Sequence, residues 1–321
     1  MIVITGAAGF IGSCLVSYFN QQGHKDLVLS DDFSHSEKEN NLTNKQFLQK
    51  IDRKKLFDWI DKNHADVEYV IHIGARTDTT EFNEAIFEEL NLGYTQKIWS
   101  LCTKYHIPLI YASSAATYGA GENGYNDDET KIKFLNPLNP YGWSKQKFDV
   151  WALEQKTCPP NWYGLKFFNV FGPNEYHKKR MASVVFHAFN QIKQTDSVKL
   201  FRSHHSQYKD GEQLRDFIYV KDVCQVIYFL FQNKVKNGIY NLGTGKARTF
   251  LDLTKSVFKA MDKPESIMFI DTPIDIRDKY QYYTQADMKK LQQQGYQKPF
   301  TPLESAVEDY VKNYLLPNRF F

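Results

Sequence analysis

Tyr141 and Lys145 stand at i and i+4 in PYGWSKQKFDV, a stretch that opens on Pro140 and reads as a helix. They therefore share one helix face. A lysine ammonium one turn from a phenol lowers the phenol pKa and brings the phenolate within reach near neutral pH. Upstream, Ser113-Ser114 close the apolar run PLIYAS. A serine hydroxyl there can hydrogen-bond a reacting oxygen. Together these groups suit proton transfer to and from a hydroxyl or carbonyl. Alone, a Tyr–Lys pair is equally a pair of helix surface residues, so its weight comes from the elements around it.

The first such element opens the chain. In MIVITGAAGFIG an apolar run, Ile2–Thr5, reads as a short buried strand, breaks at Gly6 and gives way to a helical pattern near Phe10. Gly6, Gly9 and Gly12 recur at i, i+3 and i+6. Gly6 allows the tight turn, Gly9 lets backbone approach a pyrophosphate, and Gly12 lets the helix pack close to the sheet. The helix N-terminus then faces the anion. Asp26–Ser30 is the next expected strand, and Asp31 follows about 20 residues past the loop, where a carboxylate meets an adenosine ribose. Asp31 or Asp32 is otherwise a solvated turn residue. Lys38, Arg53 and Lys54 lie on expected surface segments from which a cation can reach a 2′-phosphate.

Further strands are expected at Glu68–Ile73, running into Gly74-Ala75-Arg76-Thr77, and at Pro108–Ser113, with Asn83–His106 helical between them. Strands alternating with helices predict an α/β, doubly wound parallel sheet. Met181–Ile192 and Val223–Phe231 read as later helices, the second packed back against the sheet. Tyr240–Gly245 is expected to return the chain to the substrate side. Arg202, Lys209 and Arg215 place positive charge in one segment, suited to a diphosphate.

The 321 residues are 42% hydrophobic and 24% charged, ordinary for a soluble globular protein with an ample core. A net charge of +3 is too mild to argue for nucleic acid, and no apolar run approaches a membrane span. The first strand begins at once, so no signal peptide is expected. Cys14, Cys102, Cys158 and Cys224 are scattered without CxxC spacing; they read as reduced packing residues of a cytoplasmic protein, with no metal site.

GAAGFIG, Asp31, YASSAATYG, YGWSK and RDFIYVKD together resemble the extended short-chain dehydrogenase/reductase superfamily, in its nucleotide-sugar branch, over nearly the whole chain. Within that branch, FNVFGPNEYHKKRMAS (168–183), RTDTTE (76–81) and KYQYYTQAD (279–287) are similar to the ADP-L-glycero-D-manno-heptose 6-epimerase family. The resemblance implies a Rossmann sheet with a smaller interleaved α/β substrate domain. Residues 1–168 plus about 217–240 would hold the dinucleotide, and about 169–216 plus 241–321 the nucleotide sugar. It implies C6 epimerisation of an ADP-heptose for the lipopolysaccharide core, with bound NADP (alternatively NAD), in a homo-oligomer that meets neither nucleic acid nor membrane.

By position, the resemblance makes Tyr141 an acid/base, Lys145 its partner, Ser114 the hydroxyl helper and Lys178 a second acid/base. It implies cofactor contacts from Gly6, Gly9, Phe10, Ile11, Gly12, Asp31, Asp32, Lys38, Arg53, Ile73, Gly74, Ala75, Arg76, Thr77, Asn91, Tyr141, Lys145 and Val170. Substrate contacts fall on Ser114, Asn169, Lys178, Arg180, His187, Phe201, Arg202, Ser203, His204, Arg215 and Tyr280. Three departures bear on the sugar-diphosphate pocket: Arg180 where a small residue is expected, Ile73-Gly74 in place of Glu-Gly, and a longer segment His205–Leu214.

Two alternatives remain at this level. Another nucleotide-sugar epimerase or a 4,6-dehydratase would use the same parts, although Ala115-Ala116 replace the Asp-Glu pair that a dehydratase shows after the serine. A dinucleotide-sensing binding protein would typically have lost Tyr141 or Lys145.

Overall fold

The run Ile2–Thr5 forms strand β1 with all four residues buried, as a parallel strand covered on both faces must be. The computed structural model describes residues 1–79, 81–277 and 280–321; Thr80 and Lys279, quoted above within two stretches, lie outside the described residues. Strands follow at β2 (Leu27–Asp31), β3 (Gln49–Asp52), β4 (Tyr69–His72), β5 (Leu109–Ser114) and β6 (Trp162–Phe167). After them come β7 (Asn169–Phe171), β8 (Val198–Phe201), β9 (Leu214–Tyr219), β10 (Gly238–Leu242), β11 (Ala247–Thr249) and β12 (Ile267–Ile270).

Seven of these make one sheet in the order β10-β6-β5-β4-β1-β2-β3, and every neighbouring pair is parallel. The doubly wound sheet is therefore the observed fold. From β1 the chain winds outward on both sides, through β2 and through β4. Ligands of such sheets sit in the crevice above that reversal, at the C-terminal strand ends. Gly6 follows β1 and Gly74 follows β4, so both glycines stand at this crevice.

The helix Phe10–Gln21 buries Leu15, Val16 and Phe19 and packs on the helix Val220–Gln232. The stretch expected as one helix, Asn83–His106, is instead three pieces: α-helix Glu84–Phe87, a π-helical turn Glu88–Gly93 and α-helix Tyr94–Lys104. The wider turn carries Asn91 inward, where it is 1% exposed. The helix expected from Met181 starts at Val184, because Ser183 caps it by accepting from the Phe186 amide at 3.3 Å.

Only Phe168 separates β6 from β7. There the chain leaves the large sheet and enters a three-stranded one ordered β11-β9-β7. The YNLGTG stretch belongs first to the large sheet, whose edge is β10, and then crosses over. The Thr244 and Gly245 amides donate to the Asp216 carboxylate of β9 at 2.7 and 2.9 Å. β8 and β12 pair as a third, two-stranded parallel sheet. Among the described residues, no helix is long and apolar enough to cross a membrane.

Candidate active site

Tyr141 and Lys145 lie in the first two turns of the helix Pro140–Glu154. Asn139 caps it, accepting from the Gly142 amide at 2.8 Å, and Pro140 occupies its first turn. Ser114 ends β5, accepts from the Ala116 amide at 3.1 Å and donates to the Tyr141 phenol. Burial pushes that phenol up, Ser114 draws it down, and the Asp149 carboxylate pushes it up. The lowering that spacing assigns to Lys145 thus comes from Ser114. The Lys145 ammonium donates instead to the Ala112 carbonyl of β5 at 2.8 Å, and burial brings it down to about 8. The helix and the strand end are fastened together at the reactive groups.

The glycine turn leaves no room for side chains. Gly6 has φ +64°, and a Cβ there would lie 2.6 Å from the Gly74 Cα. A Cβ on Gly12 would lie 2.1 Å from the Gly6 carbonyl oxygen. Gly9 is the helix N-cap and brings no side chain to the first-turn amides, which leaves that end open to an anion. This backbone cradle fits a dinucleotide pyrophosphate.

Asp31 is no solvated turn residue. Its carboxylate accepts from the Ala8 and Asp32 amides at 2.9 and 2.7 Å and pairs with Lys38 at 3.2 Å. Asp32 pairs with Arg53 at 3.1 Å. Asn91 binds the Arg76 amide (2.8 Å), the Arg76 carbonyl (3.0 Å) and Ser144 Oγ (2.9 Å). The Asn91 side chain thereby ties the 74–77 loop to the Tyr141 helix.

Lys178 and Lys179 differ sharply. Lys178 is half-buried with its ammonium 5.3 Å from the Phe10 ring centroid, and burial lowers its pKa against the pull of Glu175. The charge that acts on Lys178 is the buried Glu175 carboxylate, held by the Ser183 amide and hydroxyl at 2.6 Å each. Lys179 is exposed at φ +50°. Arg180 pairs with Asp78 at 3.3 Å, and its carbonyl meets His187 Nε2 at 3.3 Å.

On the side of the smaller sheets, Arg215 is buried, bonded to the Leu214 and Gln281 carbonyls and lying over the Phe250 and Tyr280 rings at 5.6 and 5.4 Å. Tyr280 also meets Phe201 edge-on at 6.3 Å. Arg202 and His204 are exposed, while the Ser203 amide is held by Asp210 at 2.8 Å. Asn169 is exposed and Val170 half-buried on β7. All four cysteines are free, but Cys158 is exposed rather than a packing residue; it follows the helix, ahead of β6, where no core reaches it.

Asp149 and Lys166 had no place in the sequence reading. Both side chains are 0% exposed and they pair at 2.6 Å, with Ser113 donating to the same Asp149 oxygen. A signal for Asp149 exists, since it continues the i, i+4 series of Tyr141 and Lys145. Lys166 leaves none, because its neighbour is set by strand pairing.

Residues 2–243 match the NAD dependent epimerase/dehydratase family. An ADP-L-glycero-D-manno-heptose-6-epimerase of Fusobacterium nucleatum is 49% identical, with 98% of each chain covered. One from Nitratidesulfovibrio vulgaris is 46% identical, again over 98% of each. The crystal structure of the Helicobacter pylori ADP-L-glycero-D-manno-heptose-6-epimerase superposes with a TM-score of 0.79 at 28% identity, covering 97% of this chain and 95% of that one. The chain belongs to the NAD dependent epimerase/dehydratase family and, within it, to the family of ADP-L-glycero-D-manno-heptose-6-epimerases. Its cofactor class is accordingly a nicotinamide dinucleotide.

Proposed function

We propose that this protein interconverts ADP-D-glycero- and ADP-L-glycero-D-manno-heptose at C6, supplying the L-isomer for lipopolysaccharide core assembly. The observation that carries this is the pairing of the half-buried Tyr141, in contact with the buried Ser114, with a second half-buried base, Lys178, over Phe10. Ser114 ends β5, and Lys178, on the 3-10 turn Tyr176–Met181, lies over Phe10, the first residue of the helix after the glycine turn. The C6 hydrogen is not acidic, so inversion needs oxidation and reduction rather than deprotonation. A nicotinamide dinucleotide, when bound, would supply this chemistry as acceptor of the hydride from C6 and its donor back to the same carbon.

The chain's own residues manage the proton and the position. Tyr141 exchanges the hydroxyl proton in one orientation of the sugar and Lys178 in the other. Ser114 hydrogen-bonds the reacting oxygen and, through the same hydroxyl, Tyr141. Lys145, fixed on the Ala112 carbonyl, holds the ribose side of the nicotinamide. Gly6, Gly9, Phe10, Ile11 and Gly12 receive the pyrophosphate, Ile73–Thr77 and Val170 wall the nicotinamide half, and Asp31 and Asp32 meet the adenosine ribose.

NADP is the favoured dinucleotide, with NAD the alternative. Asp31 and Asp32 are each paired with a cation, Lys38 and Arg53. The repulsion a 2′-phosphate meets at an unpaired carboxylate is thereby offset. Arg215 with Tyr280 and Phe201 takes the ADP diphosphate and base, with Arg202, Ser203 and His204 at the rim. Asn169, Arg180 and His187 face the heptose. We assign the dinucleotide to 1–168 plus about 217–240 and the ADP-sugar to the remainder, in a cytoplasmic homo-oligomer.

The test is chromatography of the two ADP-heptose isomers after incubation of either with the purified protein. Both must converge on one mixture without added dinucleotide. An unchanged isomer, or a dehydrated sugar, would refute the assignment.

A further inference from the structure

Beneath the reactive groups, side chains close a ring around Ser114. Ser113 Oγ donates to Asp149 Oδ2 at 2.6 Å, and Lys166 Nζ donates to the same oxygen at 2.6 Å. Lys166 also donates to Thr117 Oγ1 at 2.7 Å, and Thr117 donates to the Ser114 carbonyl at 2.9 Å. Ser113 and Ser114 are adjacent in β5, so the circuit is complete. Tyr111 donates to the second oxygen of Asp149 at 3.1 Å. The ring joins three elements: the helix Pro140–Glu154, β5 with its following turn, and β6.

A fully buried ion pair is a poor source of stability. Apolar residues of the same volume often hold a fold as well or better, because desolvating two charges offsets their attraction. The ring's location is therefore the informative fact. We propose that Asp149 and Lys166 are positioning residues for the reaction, a buried ion pair that holds the Ser114 hydroxyl against Tyr141 and keeps the charge beneath them balanced. The proposal rests on the assignment of Tyr141 and Ser114 to proton transfer.

The electrostatics has a definite sign. The Asp149 carboxylate opposes the Tyr141 phenolate and favours the Lys145 ammonium. The other groups facing this cluster are Tyr111 on β5, Lys166 on β6, Tyr118 after β5 with its ring 5.3 Å from the Lys166 ammonium, and His72 on β4, which the Lys145 charge disfavours from protonation. Glu129 acts on Tyr111, and Asp127 on Tyr118. Only Lys166 neutralises Asp149 by direct contact among the described residues. Without it an uncompensated carboxylate stands two helical turns from the phenol.

The experiment combines kinetics with NMR of protein labelled at the tyrosine ¹³Cζ, keeping its bound nicotinamide; the Tyr141 signal is the one lost in Tyr141→Phe. Lys166→Met is expected to lower kcat about tenfold to a hundredfold at unchanged KM and to raise the Tyr141 titration midpoint by about one unit or more. Lys166→Arg restores both. Ser113→Ala and Thr117→Val open the ring without burying a charge, and each is expected to lower kcat with the midpoint nearly unmoved. In Asp149→Leu/Lys166→Met the midpoint falls back while kcat stays low.

Should Lys166→Met not fold, the Ser113 and Thr117 variants decide: kcat within twofold of wild type in both overturns the proposal. An unmoved Tyr141 midpoint in folded Lys166→Met, or full kcat in the double variant, also overturns it. If the wild-type protein does not epimerise ADP-heptose, the functional assignment falls on its own, and the NMR midpoint still decides whether the pair controls the phenol.

Discussion

Lys178 and Lys179 are neighbours in the chain and opposites in environment, one half-buried over Phe10, the other exposed. Lys178→Met is expected to lose about 10²–10⁴ of the epimerase rate, the usual worth of a general acid/base. Lys179→Met should stay within about twofold, an exposed charge contributing little. Steady-state kinetics of the two variants checks this, and equal losses would remove the second base. In the direction in which Lys178 takes the hydroxyl proton it must start neutral, and burial brings its ammonium down. The rate should therefore rise with pH through that lowered value, and Lys178→Met should abolish this limb. Tyr141, Lys145 and Ser114 were legible because helix spacing and a strand end are local facts. The burial of one lysine within KKR is legible too, from the segment's place just past the strand that ends near Val170; the Glu175 carboxylate that acts on it left no such signal.

At the scale of elements, β1, β4 and the Asn91 turn are tied by a directional chain of hydrogen bonds. The Gly74 amide donates to Thr5 Oγ1 at 3.1 Å, and Thr5 meets His72 Nδ1 at 2.6 Å. His72 Nε2 meets Thr95 Oγ1 at 3.0 Å, and Thr95 donates to the Asn91 carbonyl. With Thr95 donating onward, the pattern assigns the imidazole proton to Nε2 and leaves Nδ1 to accept from Thr5. His72 must be neutral, and burial holds it down to about 3, from an ordinary 6.5. The unfolded chain takes up that proton first. Stability from His72 is therefore full above pH 6.5 and is lost as pH falls towards 3, at roughly 1.4 kcal/mol per unit at most. Urea midpoints of wild type and His72→Gln at pH 7 and 4.5 should show the wild type losing more on acidification. Parallel losses would contradict the account.

The same scale holds the glycine cradle. Gly12→Ala should abolish retention of nicotinamide in the purified protein, because the new methyl would stand 2.1 Å from the Gly6 carbonyl. Cofactor released on denaturation measures this directly. The turn was legible from the Gly spacing between strand and helix. The π-helical turn was not, since hydrophobic periodicity across Asn83–His106 tolerates one inserted residue without marking it.

For the whole molecule, alternation of apolar strands with helical stretches sufficed to foresee the parallel sheet. The two smaller sheets escaped notice, as β7 and β11 have three residues each and neither is fully buried. At its β2–β3 end the large sheet carries the Asp31–Lys38 and Asp32–Arg53 pairs, on which the proposed preference for NADP rests. Lys38→Ala should weaken NADP about tenfold, the scale of one charge-assisted contact, and leave NAD nearly unchanged; titration with both dinucleotides checks it. The proposed mechanism inverts C6 by removing and returning its own hydrogen, with Tyr141 and Lys178 moving only the hydroxyl proton. Epimerisation in D₂O, followed by mass spectrometry and NMR of the product, tests that most directly. L-glycero product with no solvent deuterium at C6 is expected. Deuterium at C6 would mean deprotonation of carbon and would contradict it.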